Sequence, residues 1–300
     1  MTHEELTVFH RGGSFFEGPR WHDGYWYVSD FFGPHVLRFS VDGKSDVVAR
    51  FDGGRPSGIG WLPDGTMLVI SMTEQRIYAV APDGTARVHA EVGHLCNGHL
   101  NDMVVDDRGR AYAGSLGLDV QTRPDWSATG LMLVEPDGSA RLVADDLQAP
   151  NGAVITPDGA TLIVGESLGA RYTAFTILPD GSLTDRRVWA QLGTTPTPGP
   201  LAELPAQMTI SPDGCTLDAE GHIWMADATG GPVRRLAPGG ASTDEIPPPA
   251  GLTVWACMLG GNDGRTLLMC AAPADAHFGG RDGEAMLLVA QVEVPHAGQP

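Results

Sequence analysis

A turn signal that recurs along the whole chain constrains the fold more than any other feature of the sequence. The pair Asp-Gly, most often preceded by Pro, stands between apolar segments at positions 42, 64, 83, 137, 158, 180, 213 and 263. Asp and Gly readily adopt the backbone angles of tight turns, so each pair between two apolar runs predicts a β-hairpin. With 40 Gly and 23 Pro in 300 residues, the chain favours many short strands over long helices.

Segments of similar sequence return every 40 to 55 residues or so, about the spacing of propeller blades with four strands each. They span residues 25–29, 66–71, 110–115, 161–166, 222–227 and 266–271. We therefore predict an all-β fold, a six-bladed β-propeller of four-stranded antiparallel blades around a central channel, as a single domain over residues 1–300. The predicted blades cover residues 16–50, 55–92, 97–145, 149–192, 206–245 and 252–292.

Two further segments are assigned from this pattern. Residues 6–10 are predicted to pair with the last blade and to close the ring, which would remove exposed edge strands. Residues 193–205 are rich in Pro and Thr and are predicted to form a loop before the fifth blade. This loop is either a disordered part of the surface or a lid over a pocket.

Charge and composition exclude several classes of function. A formal net charge of −18 disfavours nucleic acid and anionic lipid as partners and is compatible with binding a cation. The chain has no apolar run long enough to span a membrane and no basic, apolar start typical of a secretory signal, so we expect a cytoplasmic protein. Its four cysteines are widely spaced, which predicts buried free thiols rather than disulfides or a zinc site.

Four polar residues occur where an inner strand is expected at the start of a blade: Glu17, Asn101, Asn151 and Asp218. Asp218 is placed in this set by taking Pro-Asp-Gly at 212–214 as a turn that precedes its strand. The inner strands of a propeller surround one channel, so we expect these side chains to meet. Their hard oxygen atoms select Ca²⁺ or Mg²⁺ over softer metals, and Ca²⁺ is favoured because a rigid ring of four protein oxygens plus water suits its larger, variable coordination shell. Mg²⁺, Mn²⁺ and Zn²⁺ are the alternatives. Taken singly, an Asn before Gly is typical of a turn, and a buried Asp often caps a backbone group.

Several motifs stand in a fixed order along the chain. They are Glu-Gly-Pro-Arg-Trp at 17–21, Arg-Pro-Ser-Gly at 55–58, Leu-Asn-Asp-Met at 100–103, Pro-Asn-Gly at 150–152, Leu-Asp-Ala-Glu-Gly-His-Ile-Trp at 217–224 and Cys-Met-Leu-Gly-Gly at 257–261. Together they resemble the SMP-30/gluconolactonase/LRE-like family, six-bladed propellers that hydrolyse lactones with a divalent metal in the channel. The resemblance implies that Glu17, Asn151 and Asp218 ligate the metal, with Asn101 a fourth ligand or a substrate contact.

The predicted activity is metal-assisted hydrolysis of a lactone. The metal would polarise the ester carbonyl while Asp218 accepts a proton from the attacking water; alternatively, a metal-bound water is oriented by Asp218 or Asn101. A phosphotriesterase-like or other esterase activity at the same site is an alternative, as is a non-catalytic calcium-binding scaffold. The expected partner is a small-molecule lactone or ester, and the expected state is a monomer or a small homo-oligomer.

The predicted substrate contacts are His99, Asn101, Asp119 and Trp126. His99 stands where sugar lactonases of the family usually have Arg, and the loop holding Asp119 and Trp126 stands where they usually have Glu. These departures indicate a substrate less polar than gluconolactone, such as a larger or aromatic lactone, lying against Trp126 and the 193–205 loop. Whether His99 acts in catalysis or lines the channel as a structural residue stays open.

Overall fold

The computed structural model describes residues 6–118 and 125–298, and its strands form six antiparallel sheets of four strands each. The sheets are arranged as the blades of a β-propeller, with the first strand of each blade in contact with its counterparts in the neighbouring blades. The predicted all-β, six-bladed fold is therefore confirmed. In the described part of the chain, no helix is long and apolar enough to cross a membrane.

The strands follow chain order from the inner to the outer edge of the first five blades. Blade one holds β2 (Phe16–His22), β3 (Tyr25–Asp30), β4 (His35–Phe39) and β5 (Ser45–Arg50). Blade two holds β6 (Pro56–Trp61), β7 (Met67–Ser71), β8 (Arg76–Val80) and β9 (Ala86–Glu91). Blade three holds β10 (Leu100–Val105), β11 (Ala111–Ser115), β12 (Thr129–Val134) and β13 (Ala140–Leu147).

Blade four holds β14 (Pro150–Ile155), β15 (Thr161–Glu166), β16 (Arg171–Ile177) and β17 (Leu183–Gln191). Blade five holds β18 (Pro212–Leu217), β19 (Ile223–Asp227), β20 (Val233–Leu236) and β21 (Ser242–Ile246). Blade six holds β22 (Leu252–Gly260), β23 (Thr266–Pro273), β24 (Met286–Gln291) and β1 (Thr7–Arg11). Short 3-10 helices at Gly93–Leu95, Leu201–Ala206 and Ala276–Phe278 lie in the connections.

The first strand of the chain completes the last blade. Thr7 pairs with Val289 and Val8 with Leu288, so β1 covers the outer edge of β24. The two ends of the chain thereby share one sheet, and the predicted closure by residues 6–10 is confirmed. This arrangement removes an edge strand that would otherwise expose unpaired backbone groups.

Neighbouring inner strands approach each other so closely that only glycine fits at some positions. A Cβ atom built on Gly152 would lie 2.5 Å from the carbonyl oxygen of Asp213, and one built on Gly214 would lie 2.4 Å from the Cβ of Ala256. Contacts of this length do not occur between real side chains and backbone. The inner strands of blades four, five and six therefore touch next to Asn151 and Asp213, which directly precede the two glycines.

The apolar core fills the spaces between the blades. Its largest fully buried side chains include Trp26 and Trp224, as expected for aromatic residues on strands. All four cysteines are free, and burial raises the pKa of the Cys96 and Cys215 thiols to about 12. The prediction of buried free thiols is thus confirmed for Cys215, Cys257 and Cys270, whereas Cys96 is half-buried.

The Pro-rich loop 193–205 packs on the end of the propeller where the inner strands begin. Asp125 and Pro200 form an isolated antiparallel bridge, and the backbone N–H of Trp126 donates to the Gly199 carbonyl at 3.2 Å. Leu204 lies in a buried cluster with the Trp126 indole. The loop is therefore anchored to the body of the protein, and a disordered surface loop is the wrong interpretation of its sequence.

Candidate functional site

One position is equivalent in all six inner strands because each strand carries the same β-bulge. The pairing of each inner strand with its neighbour shifts by one residue near its start, for example between Pro56↔Ser71 and Ile59↔Val69. A bulge bends the strand and redirects the side chains beside it. In blades two to six, the residue that follows the last pair before this shift occupies the equivalent position. In blade one the equivalent residue is Glu17, which follows the pair Phe16↔Asp30 and directly precedes the shift. These residues, called the ring here, are Glu17, Ser57, Asn101, Asn151, Asp213 and Trp255.

Two members of the ring are carboxylates without a cation partner among the described residues. Glu17 accepts a hydrogen bond from the Gly18 N–H at 3.0 Å, and Asp213 accepts one from the Gly214 N–H at 2.9 Å. The Asn151 side chain is also hydrogen-bonded to Asp213. No Lys, Arg or His of the described chain forms an ion pair with Glu17 or Asp213, whereas other buried acids such as Glu166 and Asp227 are paired with arginines.

Burial and mutual repulsion make it costly to ionise both carboxyls. Removal from water is the main cause that raises the pKa of Asp213 to about 7. Burial and then the neighbouring Asp213 charge raise the pKa of Glu17 well above its usual range. A bound cation would stabilise both ionised forms, since an opposite charge favours the ionised state. The pair is therefore suited to a cation.

The amide members of the ring add neutral oxygen donors. Asn151 donates from Nδ2 to the Ser167 hydroxyl at 3.1 Å, which leaves its Oδ1 for another ligand. Asn101 is buried and its Nδ2 has no hydrogen-bond partner, so the fold does not use this amide. Within residues 6–118 and 125–298 there is no cluster of three or more His, Cys, Asp or Glu side chains that could hold a metal ion. A metal at the ring would thus depend on two carboxylates and amide oxygens, a set that fits Ca²⁺ or Mg²⁺.

A buried ion pair lies next to the ring and was not predicted from the sequence. Arg20 donates from Nη2 to Asp102 Oδ1 at 2.8 Å and to the Met103 carbonyl at 2.7 Å. The pair joins the inner strands β2 and β10 across β6, and Asp102 adds to the negative charge that Glu17 and Asp213 experience. Arg20 and Asp102 both stand inside motifs that were recognised, but no local signal showed that they would meet.

The placement of Asp218 in the predicted metal site is wrong. Asp218 lies just beyond the far end of β18, five residues and about 16 Å of extended chain from Asp213. Its Oδ1 accepts the N–H groups of Glu220 at 2.9 Å and His222 at 3.0 Å, and its Oδ2 accepts from Arg235 Nε at 2.7 Å. Asp218 therefore closes the turn between β18 and β19, and Asp213 occupies the ring position in its blade.

The error has a physical cause. At 64 and 83 the Asp of Pro-Asp-Gly accepts the N–H of the residue two positions later, as in a tight turn. At 212 the same three residues begin a strand, because Pro212 pairs with Asp227 and Gly214 packs on Ala256. The sequence does contain a signal that could have identified Asp213 as the ring residue. It is a polar residue followed by Gly at the start of an inner strand, as in Glu17-Gly18 and Asn151-Gly152.

The predicted substrate contacts are distributed unevenly. His99 is half-buried two residues before Asn101, and its backbone N–H donates to the Leu118 carbonyl at 3.3 Å. It thus lies at the channel mouth, which is the end of the channel where the inner strands begin. Trp126 is only 2% exposed and packs against Ala149 and Leu204, so its indole supports the loop and is not open to a substrate. Asp119 lies outside the described residues.

A cavity lies near the opposite end of the inner strands from the ring. It has a volume of about 400 Å³ and is lined by His22, Trp61 and Asp106, near the ends of β2, β6 and β10. The His22 and Trp61 rings stack there at 4.0 Å. None of the ring residues lines the cavity, whereas Arg20, which forms the ion pair next to the ring, does.

The fold and the ring define the class of this protein: a six-bladed β-propeller that gathers carboxylate and amide oxygens at one end of its inner strands. The family model described as SMP-30/Gluconolactonase/LRE-like region matches residues 15–273. The chain therefore belongs to this family.

Individual relatives agree with this assignment. The chain is 29% identical to regucalcin of Danio rerio over 199 residues, 66% of this chain and 60% of regucalcin. It is 31% identical to 6-deoxy-6-sulfogluconolactonase of Pseudomonas putida over 175 residues, 58% of this chain and 54% of the relative. The matches thus span less than two thirds of either relative.

The fold is shared with a solved structure as well. A crystal structure of regucalcin from Agrobacterium tumefaciens, described as a calcium-binding protein, superposes with a TM-score of 0.76. The two chains are 20% identical, and the superposition covers 98% of this chain and 95% of the other. At this identity the likeness shows the fold alone.

Proposed function

We propose that the protein hydrolyses a lactone at the ring with the help of one divalent metal ion, with Ca²⁺ favoured over Mg²⁺, Mn²⁺ and Zn²⁺. The observation that carries the proposal is the half-buried carboxylate Glu17 and the buried carboxylate Asp213, which have no cation partner among the described residues and share one ring with Asn101 and Asn151. The relatives add the chemistry, because one is named a 6-deoxy-6-sulfogluconolactonase and a structural neighbour is described as calcium-binding.

Glu17, Asp213 and Asn151 would hold the metal, with Asn101 as a fourth ligand or a contact to the substrate. When bound, a divalent cation supplies Lewis-acid polarisation of the ester carbonyl and stabilises the negative charge that develops on its oxygen. His99 stands two residues before Asn101 at the start of β10, and both would orient the lactone. Asp213 takes the place that the sequence assigned to Asp218.

Proton transfer is the second task of Asp213. The Asp213 carboxylate would also accept a proton from the attacking water. The water oxygen bonds to the carbonyl carbon, the C–O bond of the lactone ring breaks, and the proton on Asp213 passes to the departing alkoxide oxygen. A cation bound beside Asp213 would favour its ionised form, which is the form that can accept a proton.

A screen of purified, chelator-treated protein against sugar, aliphatic and aromatic lactones tests the proposal, with each divalent metal added in turn. We expect hydrolysis that is lost in chelator, restored by Ca²⁺ and reduced at least about 100-fold by Asp213→Asn, as for removal of one transition-state contact. Unchanged hydrolysis in chelator, or near-normal turnover of Asp213→Asn, would overturn it.

A non-catalytic calcium-binding scaffold is the second candidate, and the description of the structural neighbour as a calcium-binding protein favours it. The same oxygen donors serve both functions. Tight Ca²⁺ binding that depends on Glu17 and Asp213, together with no hydrolysis of any lactone or ester, would favour the scaffold over the enzyme.

A further inference from the structure

Aromatic side chains form a continuous wall from the ring to the rim of the channel mouth. Trp255 is the member of the ring from blade six. The centre of its indole lies 5.3 Å from the centre of the phenyl group of Phe15, which precedes β2. Phe15 in turn lies 5.7 Å from Phe31, and Phe31 lies 4.8 Å from Phe32 in the connection between β3 and β4. These rings are edge-to-face or tilted, the arrangement that aromatic quadrupoles favour.

Arg55 lies on the outer part of this wall. It precedes β6 and stands two residues before the ring position Ser57. Its guanidinium carbon is 5.0 Å from the centre of the Phe32 ring and 5.4 Å from that of Phe31. Both distances lie within the range of cation–π attraction, so the two rings hold the guanidinium at the channel mouth.

Arg55 differs from other arginines near this end of the propeller. Arg171 and Arg234 each donate to a buried carboxylate, Glu166 and Asp227 respectively. The Arg55 side chain is half-buried, yet it forms no hydrogen bond or ion pair with any residue in the described part of the chain. Its nitrogen atoms keep contact with solvent, so its five N–H donors are available to a ligand.

We propose that Arg55 is the anion subsite of the substrate site and that the substrate is a lactone or ester bearing a negatively charged oxyacid group. The planar guanidinium binds a carboxylate, sulfonate or phosphate through two parallel hydrogen bonds. The half-buried Phe31 and Phe32, at the outer part of this wall, support the apolar part of the molecule, and its ester is directed to the ring residues. This inference rests on the proposed hydrolysis at the ring.

A pair of matched substrates separates this role from a general one. Kinetics are measured on phthalide, a neutral aromatic lactone, and on phthalide carrying a carboxylate on its benzene ring. Arg55→Gln should raise KM for the carboxylated lactone about 10- to 100-fold, the range for a charge-assisted hydrogen bond, with kcat little changed. Its kcat/KM for phthalide should change less than about twofold, since that substrate has no anion to bind.

Two variants control for charge and geometry. Arg50→Gln removes one positive charge from the exposed face of β5 and should leave both substrates unaffected. Arg55→Lys keeps the charge without the planar fork and should recover only part of the loss. Ca²⁺ affinity should be the same in all three variants and the wild type. Equal effects of Arg55→Gln on both lactones, or no effect on the carboxylated one, would overturn the subsite.

Direct binding distinguishes failure of the subsite from failure of the proposed activity. Titration calorimetry with phthalate, on the intact Ca²⁺-loaded protein, needs no turnover. Weaker phthalate binding in Arg55→Gln, but not in Arg50→Gln, would support the subsite even if no lactone were hydrolysed. Identical phthalate binding in the wild type and Arg55→Gln, or no phthalate binding to the wild type, would overturn it whatever the hydrolysis screen showed.

Discussion

Replacing Asp213 by Asn tests the candidate site through protein stability, with no assumption about the substrate. Burial raises the pKa of Asp213 from its usual 3.8 to about 7. The folded protein therefore binds this proton more tightly than the unfolded chain does, and the free energy of unfolding of metal-free protein falls as the pH rises from about 4 to about 7. At about 1.4 kcal/mol per pKa unit, ionised Asp213 costs the folded state about 4 kcal/mol above pH 7.

Asn carries no charge at any of these pH values. In chelator at pH 8 we expect Asp213→Asn to be more stable than the wild type by about 2 to 4 kcal/mol, and the two to be similar near pH 4. Removing the Asp213 charge also relieves the repulsion on Glu17, which acts in the same direction. Ca²⁺ at 100 times its Kd should raise the free energy of unfolding of the wild type by about 2.7 kcal/mol and that of the variant by much less. The stability difference between the two proteins should therefore shrink or change sign.

Urea unfolding between pH 4 and 8.5, with chelator or with Ca²⁺, measures these differences. Asp218→Asn is the matched control, because it makes the same chemical change just past the other end of β18. That variant should lose about 1.5 to 3 kcal/mol of unfolding free energy at pH 8, with or without Ca²⁺, because Arg235 loses its carboxylate partner. A wild type whose stability in chelator does not change with pH, or an Asp213→Asn that is the less stable protein at pH 8, would refute the reasoning.

Three further predictions concern the surroundings of the site. Gly214→Ala should destabilise the protein by about 1 to 3 kcal/mol and weaken Ca²⁺ binding, because its Cβ would lie 2.4 Å from that of Ala256; unchanged urea unfolding would contradict this. Trp126→Ala should cost about 3 to 5 kcal/mol with Ca²⁺ affinity preserved, as calorimetry would show, since its indole is buried under the loop. Cys96 and Cys215, with thiol pKa values of about 12, should not react with DTNB at pH 8 until urea unfolds the protein, and fast reaction of native thiols would speak against that burial.

Much of the fold could be predicted because its signals are local and repeated. Each hairpin turn is encoded by a few neighbouring residues, and their return along the chain indicated both the number of blades and their boundaries. Closure by residues 6–10 was predicted because pairing them with the last blade removes exposed edge strands, and β1 forms that pairing. Glu17, Asn101 and Asn151 were found because each stands at the start of a recognisable inner strand.

The rest was decided by contacts between residues far apart in sequence. Pro-Asp-Gly is the same local signal at 63 and at 212, and only the packing of Gly214 on Ala256 and the pairing of Pro212 with Asp227 make the second one a strand. Asp213 rather than Asp218 therefore joins Glu17. Likewise, the sequence shows an aromatic residue at Trp126 but not that the 193–205 loop covers it. The residues that cover or expose a side chain come from other blades, and tertiary packing alone brings them together.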